Sequence, residues 1–419
     1  MKSFFAKIFT LLFIFSIILS NSSSTYATDF PYLEAQGVVL MDGYSGKILY
    51  SLNPDTLFEP ASTTKVMTAL VVLDKCNLSD NVTIGTNPPF ADGSSISVQE
   101  GEVYTVKELL LGLLLESGND CAEALAEHVA GSNAEFGKLM TEKAHSLGAT
   151  SSTFKNPSGL SEEGHLTTAH DLALIMQAAA NNKDFVEISR TESYFYEGRP
   201  YYDGTEKWAT NRNNCFVTWS PYYYEYLYCG KTGWTPEANH TYTAAAKKDD
   251  QFLIASFLNA FDKPSQYYSV GQLFDWGFEN FTTKKIISTG DKLDEIKLAD
   301  NTIVPLLATK DIYYTTQPGN ENVTIDVSFD PIDLNNKSIN EGDKLVTADV
   351  IVDGAKYDTI DLSSGISKQY KKSIENKNLV TLTSDGISDS NSTNDSTSKS
   401  TSASKSMSFF KALLLIVAI

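Results

Sequence analysis

Apolar positions along this 419-residue chain change their period several times, and each change marks an element. Val38 to Met41 and Lys47 to Tyr50 are short apolar stretches around Asp-Gly and Ser-Gly, which predicts a β-hairpin. Val66 to Leu73 is an apolar, helix-compatible run that follows Pro60-Ala61-Ser62-Thr63-Thr64-Lys65. Thr105-Val106-Lys107-Glu108 has the form of a capping box before Leu109 to Leu115, a helix so uniformly apolar that it must be buried. Cys121 to Val129 resumes as alanine-rich helix and stops at Gly131. Asn133 to Leu147 and Thr168 to Ala180 are amphipathic helices, the first ended by Gly148 and the second opened by a Thr168/Asp171 capping box. Leu227 to Thr232, Thr241 to Ala246 and Phe252 to Leu258 read as sheet strands, and Gln272 to Phe278 as a closing helix. Hairpin, helices and late strands together predict an α+β fold. An antiparallel sheet is flanked by helices, with the site between sheet and helical cluster.

After Phe281 the pattern shifts to short segments such as Ile286 to Ser288, Val323 to Phe329 and Leu345 to Ile351, which predicts a separate, small all-β domain. Ser384 to Ser406 is almost wholly Ser, Thr, Asn, Asp and Lys, too polar to bury a core. At the other end, Lys2 and Lys7 precede the apolar run Ile8 to Leu19, with Thr25 and Ala27 at the −3 and −1 positions of a cleavage site. That is the form of a secretory signal peptide, too short to read as a spanning helix. The expected organisation is a signal peptide over residues 1–27, a catalytic domain over 28–281 and a β-rich domain over 282–378. A tether over 379–407 and an apolar segment over 408–419 complete it. Phe409 to Ile419 is apolar apart from Lys411, and as a helix reaches about 16 Å of a ~30 Å hydrocarbon core. It is therefore expected to lie on or partway into a membrane surface.

Composition narrows the function. A net charge of −19, with no basic run or basic-aromatic stripe, argues against nucleic acid as a partner. Four cysteines and five histidines fall at no C-x-x-C or H-E-x-x-H spacing, so no metal and no cofactor is expected. The tyrosine-rich stretch from Thr191 to Tyr228 is read as cover for the sheet and helices rather than as a substrate groove.

The chemistry gathers at Ser62 and Lys65. Three residues apart on a helix they share a face, so the lysine amine can take the serine proton if burial keeps it neutral. In the first turn, free backbone N–H groups also favour developing negative charge at Ser62. Alone the pair reads first as an N-cap followed by a solvated lysine. Ser117-Gly118-Asn119, between two helical segments, and Lys231-Thr232-Gly233, in a strand, complete an ordered trio. On these motifs the chain resembles the D-alanyl-D-alanine carboxypeptidases, the low-molecular-weight penicillin-binding proteins, from about Gly37 through the β-rich region. Asp42-Gly43-Tyr44-Ser45-Gly46, Asn156-Pro157-Ser158-Gly159-Leu160 and Thr168-Ala169-His170-Asp171-Leu172-Ala173 support the likeness less specifically.

The resemblance implies a β-lactamase/transpeptidase-like fold and an acyl-enzyme on Ser62 that releases the terminal D-alanine of peptidoglycan stem peptides. β-Lactam antibiotics would acylate the same serine. Lys65 is then the base, Ser117 the proton relay, and Asn119 a holder of either the Lys65 amine or the substrate amide. Lys231 and Thr232 meet the substrate carboxylate, and Gly233 leaves the strand edge clear for a peptide. Backbone N–H groups of Ser62 and Thr235 form the oxyanion hole. Export places this action outside the cytoplasm, at the wall or outer membrane face. Two departures stand out: Cys229 holds the place of the usual glycine two residues before Lys231, and Cys121 follows the Ser-x-Asn loop where alanine is common, read as a small buried thiol. Separately, Cys215 and Cys229 are candidates for a disulfide. A β-lactamase is the first rival, but no E-x-x-L-N segment supplies a deacylating carboxylate, and Glu162 and Glu163 lack that context. A non-catalytic wall-binding protein is the second.

Overall fold

A computed structural model of the chain describes residues 33–370. The predicted signal peptide, and the tether and apolar tail beyond residue 378, lie outside the described residues. In chain order the first elements are β1 (Ala35–Asp42), β2 (Ile48–Leu52), α1 (Thr64–Lys75), β3 (Asn81–Thr83) and β4 (Val103–Thr105). Next come α2 (Val106–Leu115), α3 (Asn119–Ala130), α4 (Asn133–Ser146), α5 (Ala169–Ala180), α6 (Lys183–Ser189), β5 (Ser193–Phe195) and β6 (Trp208–Thr210). β7 (Leu227–Thr235), β8 (Asn239–Lys248), β9 (Gln251–Ala260) and α7 (Lys263–Asn280) follow. The chain continues through β10 (Thr282–Ile287), β11 (Lys292–Lys297), β12 (Ile303–Ala308) and β13 (Ile312–Thr316). β14 (Ile325–Ser328), β15 (Lys344–Val352) and β16 (Ala355–Ser364) close it.

Five antiparallel strands form the central sheet in the order β2-β1-β9-β8-β7, which leaves β7 with a free edge. Both faces are buried, and alternation sorts the side chains between two cores. Val39, Met41, Phe252 and Ile254 face the helical cluster, while Val38, Leu40, Leu253 and Phe257 face α7. That two-sided burial is why the strands read as nearly continuous apolar runs. The closing helix starts two turns earlier than its apolar pattern suggested. Asp262 caps it by accepting from Ser265 N at 2.7 Å, and Pro264 sits in the first turn. The sequence reading missed α6, whose seven residues carry too little periodicity; Asn182 caps it through Asp184 N and Phe185 N. The Thr105/Glu108 capping box is present. At α5 only half the expected box forms. Thr168 accepts from Asp171 N, but the Asp171 carboxylate accepts from Ser151 N and Ser152 Oγ instead.

Most tyrosines of 191–228 cover the core, while Tyr202 and Tyr223 are exposed. Tyr222 stacks on Tyr267 and Tyr224 on Phe274 of α7, and Tyr196 is buried on the helical side. Cys215 and Cys229 are free thiols, so the candidate disulfide is corrected. The reason is the sheet itself: Cys215 packs in the α7 core, while Cys229 points to the opposite face, with its thiol 3.7 Å from Met176 Sδ.

Past α7 the chain builds a five-stranded antiparallel sheet, β11-β12-β16-β15-β14, and a β10-β13 ribbon around a separate core that includes Leu306, Val350 and Leu362. The β1–β2 turn reaches this region. Asp42 is fully buried, accepts from Tyr44 N and Ser45 N on one oxygen, and accepts from Thr283 Oγ1 at 2.6 Å on the other. The Tyr44 ring stacks on Tyr313 at 4.5 Å, and Lys47 Nζ donates to the Thr315 carbonyl.

Candidate active site

Ser62 lies in a one-turn 3-10 segment, Ala61–Thr63, that leads directly into α1. The turn is forced and then pinned. Ala61 has φ +48°, and its carbonyl is packed on Gly159, where a Cβ would come within 1.9 Å of that oxygen. The Pro60 carbonyl accepts from Thr63 Oγ1 at 2.6 Å and from Thr241 Oγ1 of β8 at 2.8 Å. Gly233 of β7 runs alongside, where a Cβ would meet Ser62 N at 2.7 Å and Thr63 N at 3.0 Å. The glycine is thus required by the nucleophile turn itself, a second demand beside its expected role of leaving the strand edge clear for a peptide.

Lys65 is completely buried, and its amine lies 2.9 Å from Ser62 Oγ, 2.7 Å from Asn119 Oδ1 and 2.6 Å from the Ser158 carbonyl. Burial, then the nearby Lys231 cation, holds its pKa well below that of a free lysine. A neutral amine has two N–H donors and one lone pair. Asn119 Oδ1 and Ser158 O can only accept, so they take both donors and leave the lone pair facing the Ser62 hydroxyl. Asn119 Nδ2 spends one of its two N–H donors on the Asp92 carbonyl, which leaves the second for a substrate amide. Asn119 Oδ1 holds the Lys65 amine, and the substrate-amide role stays open to its Nδ2.

Ser117 adopts φ +60° in the joint between α2 and α3, held by Gly118 N donating to Gly112 O and Asn119 N to Ser94 O. Its hydroxyl accepts from Lys231 Nζ at 3.1 Å. Lys231 also donates to the Thr232 carbonyl and is nearly fully buried; burial, with the Arg212 guanidinium second, brings its pKa down to about 7. Thr235 closes β7, its hydroxyl accepting from Ala238 N at 3.0 Å, on the strand's free edge. A register slip between Leu227 and Cys229 marks the departure at the start of that strand.

Two cavities flank Ser62. One, of about 210 Å³, is bounded by Ser117, Lys231, Thr232 and Arg212; the other, of about 590 Å³, by Asn119, Ser158, Gly159 and Thr235. Trp234, half exposed, borders both. The sequence reading gave Ser158, Arg212 and Trp234 no role. Adjacency to the Lys-Thr-Gly motif could have flagged Trp234, and the Asn-Pro-Ser-Gly-Leu match could have flagged Ser158. Arg212, paired with Glu116, carried no such signal. The Glu162 carboxylate accepts from Asn156 Nδ2 at 3.0 Å, so it is engaged within its own loop.

A serine on a buried lysine, with a second lysine and a hydroxyl across a cleft, defines a serine hydrolase that works by acyl transfer. The comparisons agree. Residues 24–262 match the D-alanyl-D-alanine carboxypeptidase family, and residues 281–375 match the penicillin-binding protein 5 C-terminal domain. The D-alanyl-D-alanine carboxypeptidase DacF of Bacillus subtilis is 31% identical over 331 residues, covering 77% of this chain and 82% of the relative. The crystal structure of penicillin binding protein 5 from Haemophilus influenzae superposes with a TM-score of 0.68 at 26% identity, over 80% of this chain and 98% of that one. A D-alanyl-D-alanine carboxypeptidase structure from Mycobacterium tuberculosis gives 0.56 at 33% identity, over 61% and 94%. The chain belongs to the D-alanyl-D-alanine carboxypeptidase family and is a serine-type carboxypeptidase.

Proposed function

We propose that Ser62 attacks the carbonyl between the two terminal D-alanines of a peptidoglycan stem pentapeptide, forms an acyl-enzyme, releases D-alanine and is freed by water. The observation that carries this is the Lys65 amine, 2.9 Å from Ser62 Oγ with two obligate acceptors on its other bonds. Lys65 takes the hydroxyl proton, and Ser117, bonded to Lys231, relays that proton to the leaving nitrogen as the peptide C–N bond breaks, which returns Lys65 to its neutral form. Lys231 and Thr232 receive the terminal carboxylate, whose charge draws a proton onto Lys231 and makes it a full cation when substrate is bound. Backbone N–H groups of Ser62 and Thr235 stabilise the oxyanion. Penicillins, which also carry a carboxylate, acylate Ser62 and leave slowly, since no E-x-x-L-N segment supplies a deacylating carboxylate.

Fluorescent penicillin labelling of wild type and Ser62→Ala tests the nucleophile, and conversion of a pentapeptide stem to a tetrapeptide tests the reaction. Labelling without tetrapeptide formation would favour transpeptidation. The amino-terminal sequence supports export, and the carboxy-terminal sequence supports attachment at the outer membrane face, with residues 379–407 as a tether. No helix among the described residues is long and apolar enough to cross a membrane.

A further inference from the structure

Between α4 and α5, residues 155–166 cross the nucleophile helix and dock on it through contacts from one turn. Thr68 Oγ1 donates to the Pro157 carbonyl at 2.7 Å, Lys65 Nζ to the Ser158 carbonyl at 2.6 Å, and His165 Nε2 meets Thr64 Oγ1 at 2.9 Å. His165 is buried, with its ring edge-on to Phe154. Its tautomer is fixed by its other nitrogen. Lys155 N–H donates to Nδ1 at 3.1 Å, so Nδ1 carries no proton and Nε2–H is the donor to Thr64. Burial, then the Lys155 and Lys65 cations, lowers its pKa to about 4, so the ring stays neutral wherever Lys65 can act as a base.

The ring is therefore a two-ended strut. One end holds the backbone where the loop begins, and the other holds the residue adjacent to Lys65. Asn156 stiffens the span between them, its Oδ1 accepting from Gly159 N at 2.8 Å and its Nδ2 donating to Leu160 O at 3.0 Å. The Ser158 carbonyl sits in that span. If it withdraws, a Lys65 N–H is freed to point at Ser62, and the lone pair is no longer directed at the hydroxyl.

We propose that His165 is a positioning residue for acylation: by tying Lys155 to Thr64 it holds the Ser158 carbonyl on Lys65 and keeps the lysine lone pair turned to Ser62. This rests on Ser62 being the acylated serine.

Stopped-flow acylation by a fluorescent penicillin, resolved into initial affinity and limiting rate, tests it. His165→Asn keeps an acceptor for Lys155 N–H but loses the Thr64 contact; His165→Gln keeps an N–H near the Nε2 position; Thr64→Val removes the hydroxyl. The limiting rate is expected to fall roughly tenfold or more in His165→Asn and in Thr64→Val, with affinity within about twofold of wild type. The double variant should be no slower than the slower single, because both changes break one contact. His165→Gln should recover part of the rate. A His165→Asn rate within about twofold of wild type, a loss confined to affinity, multiplied losses in the double variant, or Gln no better than Asn each overturns the proposal. If the His165 variants do not fold, Thr64→Val decides: a wild-type rate overturns it and a slowed limiting rate supports it. An unlabelled wild type would overturn the acyl-serine reading and this proposal together, whereas labelled wild type with an unaffected His165→Asn overturns this one alone.

Discussion

Gly233→Ala separates two accounts of one residue. Ordinary contact begins at 3.4 Å, and the new Cβ would stand 2.7 Å from Ser62 N, so that side must open by 0.7 Å. On the other side it would stand 2.4 Å from Thr241 Oγ1. Rotating Thr241 away breaks its bond to the Pro60 carbonyl, one of the restraints on the nucleophile turn. Either way the strain reaches Ser62. A displacement approaching 1 Å between reacting groups costs on the order of a hundredfold in rate, or about 2.7 kcal/mol of barrier. If glycine served instead to clear the strand edge for a peptide, the methyl group would weaken binding and spare the acylation step. Stopped-flow labelling by a fluorescent penicillin resolves the two, with a melting curve to establish that the variant is folded. A limiting acylation rate close to wild type, with the loss confined to initial affinity, would refute the packing argument.

Four further outcomes are expected. Acylation should rise with pH as Lys65 loses its proton, and Lys231→Ala should move that limb to higher pH, since the Lys231 charge lowers the Lys65 pKa; a pH–rate profile that does not move, or moves to lower pH, counts against the coupling. Asp42→Ala leaves Tyr44 N and Ser45 N without their acceptor, breaks the Thr283 Oγ1 bond to the β1–β2 turn, and should cost roughly 2–4 kcal/mol by denaturant unfolding, with the β-rich region released earlier under limited proteolysis. A reductant should leave the Tm unchanged, because Cys215 and Cys229 lie on opposite sheet faces; a drop would reinstate the disulfide. Full-length protein with its signal peptide removed should pellet with membranes and a chain ending near Leu379 should not; a wholly soluble full-length protein would refute the anchor.

The layout of the catalytic region was legible because each of its long elements has one dominant local signal. α2 carries a capping box and an unbroken apolar run, and β9 is apolar on both faces because it has a core on each. Legibility failed where burial is shared with polar side chains. Gln266 and Ser269 are buried in α7, so its first two turns show no apolar stripe to read. It failed again at the β1–β2 turn, where Asp-Gly and Ser-Gly announce a turn but nothing local reports that Asp42 also bonds β10, 241 residues later, or that Tyr44 stacks on β13.

The site divides along the same line. Ser62, Lys65, Ser117, Asn119 and Lys231 are identified by residue type and order, and the structure bonds them in two groups, Lys65 to Ser62 and Asn119, and Lys231 to Ser117. What turns that set into a base and a nucleophile is not carried by residue type. The Lys65 pKa is lowered by burial and by Lys231, a residue distant in sequence, and one of its N–H donors is taken by a peptide carbonyl. Every residue offers a carbonyl, so no motif can single out the one at Ser158. It becomes identifiable only through what holds it there: Gly159, tolerated against Ala61 because it has no side chain, Asn156 bridging its loop, and a histidine whose two nitrogens face a backbone donor and a threonine hydroxyl. The supporting shell is therefore the place to look for differences in acylation rate between chains that share the same three motifs.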